Sequence, residues 1–186
     1  MKNISIILYR MMKLNDRELK YECFKMALSS GVLTSILSIA LTSFAMNIIR
    51  TMKALTYQNE IFILTCIVAP IIEEILKPLG LIFCNDPKEY LKIRDWAFLG
   101  VVAGTGFSIL ENSFYFVSTL TSKGRELAIA VIVFRTFTTM PMHMFASSLT
   151  GIGIGLWKRR RRWITPLTFS FSIIIHSSFN FLVISR

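Results

Sequence analysis

Residues 69–78 read APIIEEILKP and sit inside an apolar run from Ile61 to Cys84. A helix of about 20 residues at a 1.5 Å rise crosses the hydrocarbon of a bilayer, so this run is long enough to span one. Two adjacent carboxylates and an ammonium therefore fall at membrane depth. Each charged side chain near the centre of a spanning helix is unfavourable by roughly 2.5–3.5 kcal/mol, so all three need partners or a wet cavity. Glu73 and Lys77 are four apart with the acid on the N-terminal side, the favourable order for a helical ion pair. That pairing leaves Glu74 over, and some other polar group must face it.

The composition agrees with a membrane setting. The 186 residues are 53% hydrophobic and only 17% charged, with a mean hydropathy of +0.56. These values describe one small polytopic domain and exclude an ordinary soluble one. The formal charge is +10, but the basic residues fall in short loops between apolar segments, which indicates topology and no nucleic-acid partner. Cys23, Cys66 and Cys84 have no CxxC spacing and read as reduced structural residues. The opening MKNISIILYRMMK lacks both a long apolar core and a cleavage site, so no cleaved signal is expected.

In chain order, Ile4, Ile7, Leu8 and Met11 predict a short amphipathic helix on the membrane surface, and NDRE offers a capping box of Asn15 with Glu18. We expect an all-α bundle of about five transmembrane helices at roughly 27–49, 59–84, 96–120, 128–157 and 164–184. The first 26 residues then form an interfacial, cytoplasmic segment, and residues 27–186 form the membrane domain. The first span carries only Ser, Thr and Asn47 as polar members and is assigned no chemistry. In the second, Pro70 and Pro78 leave the carbonyls of Cys66 and Glu74 without helical donors, and such breaks at membrane depth favour a cavity. Gly100 and Gly104 in span three, and Ser147, Gly151 and Gly155 in span four, make small-residue ridges for close helix packing. Span four is long, and Pro141 marks a place where it can break. Fourteen of the 21 lysines and arginines fall on one side of this arrangement and five on the other. The asymmetry places the N-terminus in the cytoplasm and the C-terminus outside, with the plasma membrane the expected location.

Centring each span on the bilayer puts Glu73, Glu74, Glu111, His143 and His176 within about three residues of the midplane, or roughly 5 Å. They come from four helices and include both histidines, so a single polar cavity is expected. No deep Ser or Cys has an evident relay, which weakens a covalent nucleophile. A carboxylate there can act as general base toward water, with His176 and the Asn180 amide donating to an oxyanion. The set suits hydrolysis of a peptide bond. Two histidines and a glutamate also match a hydrolytic zinc site, with His143, His176 and Glu111 as ligands, although HExxH spacing is absent. We expect no cofactor, with zinc as the alternative.

EEILK at 73–77, GTGFSILEN at 104–112, RTFTTMPMH at 135–143 and HSSFN at 176–180 together resemble the ordered motifs of PrsW-like intramembrane proteases, relatives of the CAAX prenyl protease and bacteriocin-immunity (Abi, CPBP) proteins. The resemblance spans about 61–184. It implies a membrane-embedded peptidase acting on membrane-anchored proteins or peptides, with Glu73 and Glu74 as the activating pair. It also implies Glu111 in a position where CAAX-type relatives carry histidine, with His143, His176 and Asn180 completing the site and Lys77, Asn112 and Arg135 supporting it. Some catalogues class the family as metalloproteases, whereas the CAAX-type relatives look glutamate-based and metal-free.

Blander readings stand beside these. Glu73 and Lys77 form a structural ion pair, Glu111 pairs with Arg135, the histidines hold helices together, and Asn112 and Asn180 bond between helices. A proton or ion carrier using the same Glu/His relay, and an inactive immunity or scaffold protein, are the rival functions.

Overall fold

The computed structural model describes residues 14–51, 55–86 and 89–185, which form helices and connecting turns with no strand among them. The surface helix expected over the first 14 residues lies, apart from Leu14, outside the described residues. Helix α1 (Asp16–Thr51) starts on the NDRE box: Glu18 N donates to Asn15 Oδ1 and Asn15 N to Glu18 Oε2, each at 3.0 Å. It runs unbroken through residue 26, so residues 16–26 of the expected interfacial segment share one helix with the first span. Its buried stripe, Leu19, Cys23, Ala27, Gly31 and Ser35, recurs every four residues, while Leu33, Ile36 and Phe44 are exposed. Small residues inside and large apolar ones outside are what a lipid-facing helix requires.

The second crossing is a chain of short pieces. Helix α2 (Tyr57–Ile63) passes through a π-turn (Leu64–Val68) into α3 (Ala69–Leu76), and α4 (Leu79–Ile82) follows. Its register can be traced atom by atom. Ala69 N bonds Leu64 O, five residues back, so the next carbonyl, Thr65 O, would need an N–H from residue 70. Pro70 has none. The gap is closed from the last helix, where Asn180 Nδ2 donates to Thr65 O at 2.8 Å. Pro78 likewise ends α3, since it cannot donate to Glu74 O.

Three long elements complete the bundle: α5 (Ile93–Lys123), the pair α6 (Arg125–Phe137) and α7 (Thr139–Lys158), and α8 (Ile164–Ile184). Among the described residues, four stretches are long and apolar enough to cross a membrane, namely Asp16–Thr51, Ile93–Lys123, Arg125–Lys158 and Ile164–Ile184. The segment expected as the second of five spans is broken into short pieces and is not one of these four. The expected break in the fourth span falls at Thr138 (φ −122°, ψ −60°), three residues before Pro141. Pro141 cannot donate to Phe137 O, so the preceding helix ends there and Pro141 sits harmlessly in the first turn of α7.

Helix α5 is the centre of the bundle, packed between α1 and α7. The two ridges read from the sequence face each other. A Cβ on Gly100 would overlap the Ser147 carbonyl, and one on Gly151 would overlap the carbonyl of Trp96. The backbones therefore touch, which fixes the register between the helices that carry Glu111 and His143. At the basic end, Lys158 Nζ donates to Ile82 O (2.8 Å) and Arg159 Nη2 to Leu91 O (2.7 Å), tying α7 to the connection before α5. Cys23, Cys66 and Cys84 are buried free thiols.

Gly100→Ala should lower stability by about 1–3 kcal/mol, because the added methyl meets backbone and not a movable side chain. Asn180→Leu should lose about 1–3 kcal/mol by stranding the Thr65 carbonyl. Thermal or denaturant unfolding in detergent, compared with wild type, reads both.

Candidate active site

Two carboxylates that are neighbours in sequence have different surroundings. Glu74 is fully buried and saturated. Its Oε1 accepts from Lys77 Nζ (2.6 Å) and His176 Nδ1 (2.9 Å), and its Oε2 from Ser172 Oγ (2.7 Å). Glu73 Oε2 is buried with no hydrogen bond; Lys77 Nζ lies 3.6 Å away and His176 Nε2 3.8 Å. The ion pair expected from helical spacing is present at 3.6 Å, but the hydrogen bond of Lys77 goes to the acid three residues back, so Lys77 serves both carboxylates and Glu74 the more closely. The cause lies outside the helix. Lys77 turns toward His143 Nδ1 (2.6 Å) and over the Phe107 ring (4.6 Å), the side on which Glu74 lies.

Proton positions follow from what each group can do. An ammonium only donates, so His143 Nδ1 accepts from Lys77 and its ring proton sits on Nε2, 3.0 Å from Glu111 Oε2. His176 Nδ1 faces the saturated Glu74 carboxylate and donates to it. That leaves His176 Nε2 as a lone pair on the side of Glu73. Each imidazole N–H is held by a carboxylate, the arrangement that orients histidines around a reactive centre. The two rings meet edge to face at 4.8 Å.

The network continues outward. Arg135 Nη2 lies 2.8 Å from Glu111 Oε2 but out of hydrogen-bonding line, so this contact is an ion pair. Arg135 Nε donates to Asn112 Oδ1 at 2.8 Å, and the guanidinium lies over the Tyr115 ring at 3.7 Å. Eight of the nine expected site residues (Glu73, Glu74, Lys77, Glu111, Asn112, Arg135, His143 and His176) therefore form one connected cluster. Asn180 adjoins it through Thr65 and the cavity wall.

That cavity, about 840 Å³, is lined by Glu73, His176 and Arg135 and also by Ser38, Thr42 and Ser43 of α1. Helix α1, read as free of chemistry, thus supplies a polar wall. Ser172 was also missed, although it lies four residues before His176 just as Asn180 lies four after, so all three share a helix face.

The donors fit zinc in type and spacing. Glu73, His143 and His176 are buried and bring ligand atoms within 4.8 Å of one another. Glu73 takes the place expected for Glu111, which lies on the Nε2 side of His143 and there accepts its proton. Glu73 Oε2 and His176 Nε2 are open lone pairs, and His143 Nδ1 is engaged by Lys77.

No curated protein and no solved structure matches the chain. One family model does, described as PrsW family intramembrane metalloprotease, and it covers residues 21–186. With four apolar helices of spanning length enclosing a buried Glu/His cluster, the chain belongs to the PrsW family of intramembrane metalloproteases and is an integral membrane protein.

Proposed function

We propose that this chain hydrolyses a peptide bond of a membrane-anchored protein or peptide, with Glu73 as the base that activates water and Glu74 as the anchor that holds the site. The observation that carries the reading is the division of labour between the two acids. One is spent on three donors, and the other keeps a buried, unbonded oxygen on the wall of a substrate-sized cavity.

Glu73 takes a proton from water as its oxygen bonds to the substrate carbonyl carbon, and the carbonyl electron pair moves onto oxygen. Asn180 has one amide N–H on Thr65 and a second to give, and Arg135 Nη2 makes no hydrogen bond; both line the cavity and suit the developing oxyanion. Collapse expels the amine, which recovers the proton from Glu73. His176 is better suited to positioning than to the oxyanion role expected of it, since its proton points at Glu74. If zinc were bound, Glu73, His143 and His176 would hold it, and it would supply an acidified water and polarise the carbonyl.

Glu73→Gln should lower cleavage of a single-span peptide in proteoliposomes at least about 100-fold, the low end for loss of a general base, with unfolding unchanged. Glu74→Gln should behave differently, losing about 3–5 kcal/mol of stability because Lys77 and His176 lose their buried partner. Equal cleavage by Glu73→Gln and wild type would remove Glu73 from the chemistry. Chelation should leave wild-type cleavage intact, and activity lost with chelator and restored by one zinc per chain would transfer water activation to the metal.

A further inference from the structure

We propose that Lys77 is a built-in cation occupying the third donor position of this centre, so that metal uptake by this chain is a direct competition between the Lys77 ammonium and the ion. The ammonium is fully buried. It lies 2.6 Å from His143 Nδ1, 2.6 Å from Glu74 Oε1 and 3.6 Å from Glu73 Oε2, with the face of Phe107 beneath it at 4.6 Å. A positive charge among two carboxylates and an imidazole lone pair is where a small cation would go.

The competition follows from His143 having only two ring nitrogens. Its Nε2–H is held by Glu111, which Arg135 in turn neutralises, so the sole lone pair on this histidine is the one Lys77 occupies. The other tautomer offers no way round, because it would set Nδ1–H against an ammonium N–H 2.6 Å away. Nor can ion and ammonium share the place, since two cations a few ångströms apart repel strongly in a buried site. Full coordination by Glu73, His143 and His176 therefore requires Lys77 to withdraw.

The inference concerns the same centre as the proposed hydrolysis, but its readout is metal affinity, so either can fail alone. Zinc is titrated into the purified chain in detergent against a fluorescent chelator, for wild type, Lys77→Met and Lys77→Gln. Each uncharged variant should bind zinc at least about tenfold more tightly, the scale on which neighbours of metal ligands act. Adding His176→Ala should abolish the gain. Equal or weaker zinc affinity in a folded Lys77 variant overturns the proposal. Should neither variant fold, the wild type decides: one zinc per chain should increase acylation of Lys77 by an amine-reactive reagent, read by mass spectrometry. Unchanged labelling with zinc bound overturns it.

Discussion

A single ammonium on a broken helix holds this interior together. Lys77 joins the acid of its own segment to a histidine on α7, and through that histidine to Glu111 on α5. Lipid offers no polar group to take over these contacts, so each partner needs the next or the cavity they line. The chain of charges then runs to Arg135 on α6 and through Glu74 to His176 and Ser172 on α8. Five elements are tied by groups that none could bury alone.

The outer surface is as apolar as the interior, unlike that of a soluble bundle. Large apolar side chains such as Leu33, Phe44, Ile109, Phe145 and Phe171 face outward, and small and polar ones make up much of the interior beside an apolar cluster of Leu19, Leu81, Leu91 and Trp96. Lipid offers little drive to bring apolar helices together, so close backbone contact and polar bonds must do it. The Gly100/Gly151 seam supplies the first and the Glu/His/Lys network the second. The two are coupled, since the seam sets the height at which Glu111 meets His143.

Much of this was legible in the residues, for one physical reason. Charged groups at membrane depth persist only with partners, so their positions alone mark a shared site, and Glu73, Glu74, Glu111, His143 and His176 do meet. Partner choice was not legible. Helical spacing pointed to Glu73 as the partner of Lys77, and that ion pair forms at 3.6 Å, but the closer bond to Glu74 accompanies contacts of Lys77 with His143 and Phe107, which are distant in sequence. Ser172 and Thr42 escaped notice because hydroxyls in spans usually bond their own backbone, as Ser43 does to Ile39, and nothing local distinguishes the exceptions. Thr42 Oγ1 has no partner and Ser172 Oγ turns to Glu74. The break at Thr138 was displaced from its cause, since a proline disturbs the chain one turn upstream of itself.

The π-turn has a mechanical consequence. Helices α5 and α7 are locked backbone to backbone and cannot part without losing their seam, whereas Tyr57–Ile63, just before the turn, has no buried residue at all. The stretch is joined to the reactive acid through five loosely wound residues whose missing bond is lent by α8. Of the walls around the chamber, this one yields at least loss of contact, and any sideways movement of it bears directly on where Glu73 points.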